Sequence, residues 1–160
     1  MADARIFADL KADHDRQRTL FARLGDGSGD SGERRATFEA LRLELQAHAA
    51  AEEESLYAAM LADPELREDA RHSVAEHKEV DDLLGALIEA DFGSPEWAER
   101  FGELRHRYMH HIDEEEQEMF PAAAKRIDKA EAADLARRFE ARKPEERARA
   151  EEHVPGDDRE

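Results

Sequence analysis

Apolar residues recur at steps of three and four along most of the chain, in four long stretches separated by glycine and proline. In the first stretch Phe7, Leu10, Phe21 and Leu24 share one stripe, and helical spacing places His14 and Gln17 between them. In the second, Phe38, Leu41 and Leu45 lead to His48, Glu52 and Leu56. In the third, Val80, Leu84 and Leu87 extend back to His77. In the fourth, Trp97, Phe101, Leu104 and Tyr108 lead to His111, Glu115 and Met119. After Leu24 the polar stretch GDGSGDSG reads as a flexible loop, with Asp30 and Glu33 as a capping pair for the second helix. Asp63-Pro64 and Ser94-Pro95 each fit an N-cap followed by proline at the first helical position.

These signals predict helices over 2–24, 33–61, 64–91 and 95–120, and the alternating β-branched runs of a strand are absent. Pro121 is expected to stop or kink the fourth helix. A shorter fifth helix is expected over 128–142, through Leu135 and Phe139, and the nearly apolar-free 143–160 reads as a disordered charged tail. Short connections favour antiparallel neighbours. The expected fold is therefore all-α: an up-down-up-down four-helix bundle over 1–127, an additional C-terminal helix, and a flexible acidic tail.

The 160 residues carry 41 acidic against 24 basic side chains, a net charge of −17, with a mean hydropathy of −0.88. Such averages lie near those of disordered chains, so folding depends on gathering the apolar residues into the four narrow stripes. The charge repels phosphate and argues against a nucleic-acid partner. No apolar run approaches the roughly 20 residues of a membrane span, and the N-terminus has no signal-peptide apolar segment. With no cysteine, the chain has no disulfide, thiolate zinc site, iron–sulfur cluster or cysteine nucleophile, and a cytoplasmic location is expected. Any metal must be held by nitrogen and oxygen.

Every stripe contains a histidine, and the four lie within about four residues of their helix midpoints, which sets one layer on the order of 6 Å thick across the bundle. Glu52 follows His48, and Glu115 follows His111, by four residues, so each pair projects from one face. The segments from His48 to Tyr57 and from His111 to Phe120 align as an internal repeat. An HxxxE spacing also occurs at His72 and His110, but helical phase puts both on solvated faces. Buried carboxylates require a cation. Four imidazoles and two carboxylates exceed one tetrahedral zinc and differ from the all-oxygen shells of calcium and magnesium. Two ions bridged by two carboxylates, with two histidines each and a solvent-derived oxygen, use all six. Such donors suit iron, with manganese or mixed metals as alternatives.

The order His, HxxxE, His, HxxxE, with Tyr57 and Phe120 nine residues after the motif histidines and Pro121 closing the second copy, resembles the hemerythrin-like, or HHE cation-binding, domain over about residues 1–125. The resemblance implies a four-helix bundle around a carboxylate-bridged, oxo- or hydroxo-bridged di-iron centre, with His14, His48, Glu52, His77, His111 and Glu115 at the ligand positions. Three departures from the oxygen carriers of that family stand out. Ser73 occupies the place of a further histidine, HxxxE replaces HxxxxD, and Ala58 replaces a proline that often closes the first repeat. One ligand fewer leaves more of the coordination sphere open. The function expected is binding or sensing of O2, nitric oxide, peroxide or iron, in a stress-response type of role, with Gln17 and Tyr108 as groups able to hydrogen-bond a bound species. The alternatives are a di-iron enzyme that decomposes peroxide, like a catalase or peroxidase, and a metal-free acidic bundle acting through its surface. No redox or signalling partner is readable from the chain.

Overall fold

The computed structural model describes residues 4–27, 29–153 and 155, which form five helical rods and no strand. The first, α1, runs Arg5–Gly25. The second, α2, is continuous but mixed: α-helical over Gly32–Glu52, a wide π-turn over Glu53–Tyr57, and α-helical again over Ala58–Ala62. α3 spans Arg67–Glu89. α4 repeats the device of α2, with Pro95–Glu114, a π-turn over Glu115–Met119 and Phe120–Ala124. α5 spans Lys129–Glu152. Among the described residues no helix is long and apolar enough to cross a membrane.

Side-chain pairings fix the directions of the rods. Asp13 meets His48 and Gln17 meets Glu44, so α1 and α2 are antiparallel. His72 meets Glu114, Glu76 meets His111 and Glu79 meets Arg107, so α3 and α4 are antiparallel as well. The first four rods thus form the expected up-down-up-down bundle. α5 packs mainly on α2, running against it: Arg142 meets Glu54 and Arg42 donates to the carbonyl of Ala150.

Caps differ from the expectation in two places. Ser31, not Asp30, caps α2 by accepting from the Arg34 amide, while Asp30 pairs with Arg35. Asp63-Pro64 opens a turn rather than a helix: Asp63 accepts from the Glu65 amide and pairs with Arg126, and α3 begins at Arg67. Ser94 caps α4 as expected, accepting from the Trp97 amide.

Two other differences have a physical reason. Pro121 does not end α4, because the π-turn just before it already relaxes the ladder where the missing N–H would bond. Ala58 follows the first π-turn at the equivalent place, so proline is not what makes the turn. Residues 143–152, expected to be disordered, continue α5 through Pro144. Their inner face is fixed by charge rather than apolar area. Lys143 reaches Asp13 and Glu44 at 2.7 and 2.9 Å, and Glu146 and Ala150 are buried. Residues 154 and 156–160 lie outside the described residues.

The apolar core is divided in two. One cluster gathers Phe7, Leu10, Leu56, Tyr57, Phe120 and Phe139 at the end covered by α5. The other gathers Phe21, Leu45, Leu84, Trp97, Leu104 and Tyr108 at the opposite end. The polar layer predicted from the stripes lies between them.

At the far end of the second cluster Gly93, at φ +82°, approaches Gly29, and a Cβ on Gly93 would lie 2.8 Å from the Gly29 carbonyl oxygen. Gly93→Ala should therefore destabilise the fold by ~1–3 kcal/mol. Gly102→Ala, in open space on α4, should stabilise it by ~0.5–1 kcal/mol. Thermal unfolding of the two variants checks this, and a shift of the same sign in both contradicts it.

Candidate metal centre

All six residues singled out by the stripes converge in one layer, and all are buried: His14, His48, Glu52, His77, His111 and Glu115. The imidazoles form two pairs. The rings of His14 and His48 are 5.2 Å apart and those of His77 and His111 are 5.0 Å apart. Each glutamate reaches one histidine of each pair. Glu52 Oε1 lies 3.5 Å from His48 Nε2 and 3.3 Å from His77 Nε2. Glu115 Oε1 lies 3.5 Å from His14 Nε2 and 3.2 Å from His111 Nε2.

The opposite ring nitrogens are held by a second set of carboxylates. Nδ1 of His14 meets Glu116 at 2.6 Å, and Nδ1 of His48 meets Asp13 at 2.8 Å. Nδ1 of His77 meets Glu53, and Nδ1 of His111 meets Glu76, both at 2.8 Å. A carboxylate accepts, so each Nδ1 donates, and each Nε2 is turned to the centre as the atom left for a cation. The four contacts close a ring around the bundle. Asp13 of α1 holds the histidine of α2, Glu53 of α2 that of α3, Glu76 of α3 that of α4, and Glu116 of α4 that of α1.

The inner atoms are left without such partners. Nε2 of His14, His48 and His111, both oxygens of Glu52, and Oε1 of Glu115 are buried and make no hydrogen bond among the described residues. A buried polar atom left this way costs about 1–3 kcal/mol, more when charged. Six facing one another in one layer have the donor chemistry of a cation site: imidazole nitrogen and carboxylate oxygen, with every outward-facing atom already satisfied.

The two π-turns explain how Tyr57 and Phe120 reach this layer. In an unbroken α-helix nine residues place Tyr57 ~180° from His48, whereas the π-turn adds roughly one residue per turn and rotates it ~100° back. Its hydroxyl donates to Glu115 Oε2 at 2.6 Å. Burial, then the charges of Glu115 and Glu52, push the Tyr57 phenol well above its ordinary range, so it stays a donor. Phe120 stacks on His14 with centroids 6.0 Å apart.

Gln17 and Tyr108 are buried beside the layer but are engaged elsewhere: Tyr108 donates to Gln17, and Gln17 donates to Glu44 at 2.8 Å. They line its wall rather than complete it. A second acidic group, Asp13 with Glu44, is neutralised by Lys143 of α5. His72 and His110 are exposed, as helical phase predicts, and pair with Glu76 and Glu114. Sequence periodicity missed Asp13, Glu53, Glu76 and Glu116, and Tyr57 was marked only through the internal repeat. Each of the four carboxylates adjoins an inner residue in the chain, which is the signal that was available.

A family model described as the Hemerythrin HHE cation binding domain matches residues 5–123. The uncharacterized protein Rv2633c of Mycobacterium tuberculosis and the uncharacterized protein Mb2666c of Mycobacterium bovis are each 29% identical over 113 residues, covering 71% of this chain and 68% of theirs. The crystal structure of a hemerythrin HHE cation binding domain-containing protein from Mycobacterium kansasii, an Rv2633c homolog, is similar at a TM-score of 0.80. It is 28% identical, and the match covers 99% of this chain and 96% of that one.

In the metal-free chain burial alone would lower the His111 imidazole. The charge of Glu115 and the hydrogen bond to Glu76 overcome it and lift the group from 6.5 to about 10. Glu115 moves the other way: burial opposes, but His111 holds it well below its ordinary 4.5. A raised imidazole contributes stability in full below 6.5 and loses it as pH climbs through its folded value. A depressed carboxylate contributes above its ordinary value and loses that stability as pH falls. The chelator-treated chain should therefore be most stable between pH 4.5 and 6.5 and weaken toward pH 10. Metal binding needs neutral imidazole, so loading near pH 7 should release protons. Urea unfolding across pH and a weakly buffered titration check the two; stability rising steadily to pH 10 contradicts the assignment.

Proposed function

The chain belongs to the hemerythrin HHE cation-binding domain family, and on that premise we propose that the buried layer holds a pair of iron ions that bind O2, nitric oxide or peroxide. The observation that carries this reading is the reach of Glu52 and Glu115, each touching one histidine of both pairs. Carboxylates so placed would be shared between the two ions. His14 and His48 would hold one ion, and His77 and His111 the other. Nitrogen and carboxylate donors favour iron, with manganese or a mixed pair as the alternative.

When bound, such ions polarise a small oxygen or nitrogen species and exchange electrons with it. The remaining work falls to the chain. The outer carboxylate ring fixes the imidazole orientations before an ion arrives. Tyr57 holds one oxygen of Glu115 and leaves the other facing the histidines. The two apolar clusters exclude bulk water from above and below the layer. Ser73, one turn before His77, donates to the sulfur of Met119 and offers no imidazole. α3 therefore supplies His77 as its histidine to the layer. A cleft of about 40 Å³ beside Ser73 reaches His111 and Glu115 between α3 and α4. At about 10–15 Å³ per water-sized species it has room for a diatomic molecule or peroxide. Its carboxylates, among them Asp69 and Glu118, disfavour anionic ligands.

Iron analysis with optical spectra before and after peroxide tests the reading. About two irons per chain are expected, and a single stable optical change on adding peroxide supports a binding role. Sustained oxygen evolution would instead support the peroxide-decomposing enzyme, and absence of iron uptake would contradict both. His77→Ala should lose much of the metal and lower the melting temperature, whereas His110→Ala, on the exposed face, should do neither. Equal loss in both variants would sink the helical-phase argument.

A further inference from the structure

The cleft beside Ser73 has a built mouth. His72 Nε2 lies 3.5 Å from Glu76 Oε2 and 3.2 Å from Glu114 Oε1, and the ligand atoms of all three residues fall within 4.8 Å of one another. His110 Nε2 lies 3.3 Å from the other oxygen of Glu114, outside the cleft. Side-chain exposure falls steadily inward, from 58% at His72 through 32% at Glu114 and 18% at Glu76 to 2% at His111 and Glu115. At the inner end His111 Nε2 and Glu115 Oε1 are buried without a hydrogen bond. Glu76 spans the two levels, with Oε2 toward His72 and Oε1 on His111 Nδ1.

Charge distinguishes this cluster from the other acidic groups. Asp13 and Glu44 have Lys143, Glu140 has Arg5, and Asp63 has Arg126. Among the described residues that line the cleft none is a lysine or arginine. Imidazole nitrogen and two carboxylates at this spacing suit a first-row divalent ion, and an acidic cleft concentrates cations at its mouth.

We propose that His72, Glu76 and Glu114 form an outer divalent-cation site through which ions enter the buried layer. The inference rests on the reading of that layer as a metal pair. An ion held at the mouth sheds water in exchange for His72 and Glu114, then passes Glu76 and Ser73 toward the free atoms of His111 and Glu115. The outer site is weaker than the inner one because its residues are more exposed and must be ordered on binding.

Zinc separates the two levels without redox chemistry. Equilibrium dialysis of the chelator-treated full chain should give about two tight ions and about one weaker ion per chain. His72→Ala and Glu114→Gln should each keep the tight pair, lose the weaker ion and fill the tight pair roughly tenfold more slowly. His77→Ala should do the reverse, losing tight binding and keeping the weaker ion. If both outer variants match the parent chain in stoichiometry and rate, the outer site is overturned while the buried pair stands. A weaker ion lost with no slowing of loading overturns the role as an entrance. Absence of tight ions in the parent chain overturns the inner reading and this one together.

Discussion

Two carboxylates buried in the middle of an apolar bundle set the terms for everything around them. Glu52 and Glu115 are almost completely out of water, and an isolated anion there would be too costly to keep. The chain answers with four imidazoles in the same layer and a ring of four further carboxylates behind them. Each of the first four rods gives one histidine and one outer carboxylate, and each outer carboxylate crosses to the next of them. The ring ties the four helices together at mid-height, where apolar contact is interrupted, and aims four nitrogens into one layer. The inner atoms make no hydrogen bond among the described residues, and on the proposed reading a cation completes the balance.

This arrangement also explains the less regular parts of the fold. The π-turns follow or begin at Glu52 and Glu115, where the helix must present a carboxylate inward and still bring Tyr57 or Phe120 onto the same layer. α5 belongs to the same economy of charge. It lies beyond the matched domain of residues 5–123, yet Lys143 neutralises Asp13, the residue that orients His48. The C-terminal helix thus supports the site at one remove, by holding the carboxylate that holds a histidine. The divided apolar core, with α5 covering one half, leaves the cleft at Ser73 as a short path from solvent to His111 and Glu115.

Much of this was legible in the sequence, and the limits have physical causes. The phase of His14, His48, His77 and His111 is a 3.6-residue property, and burial of each rod on one stripe preserved it. The same phase correctly placed His72 and His110 on exposed faces. Tyr57 lay nine residues from His48, out of phase, and only a π-turn brings it in; no local composition marks that turn, since Ala58 and Pro121 follow the two copies indifferently. The outer carboxylates were hidden among 41 acidic residues, because adjacency to an inner residue does not say which way a side chain points. Residues 143–152 read as a tail because apolar periodicity carries no record of Lys143 folding onto Asp13 and Glu44. Asp63-Pro64 looked like a helix start because a capping aspartate and a turn aspartate accept the same kind of amide bond.

The central claim is that Glu52 and Glu115 each serve both histidine pairs at once. Anomalous diffraction from crystals of the iron-loaded chain tests it most directly. Two ions about 3.5–4 Å apart are predicted, one on Nε2 of His14 and His48, the other on Nε2 of His77 and His111, with both carboxylates between them. A single ion, or two ions that share neither carboxylate, would contradict the account.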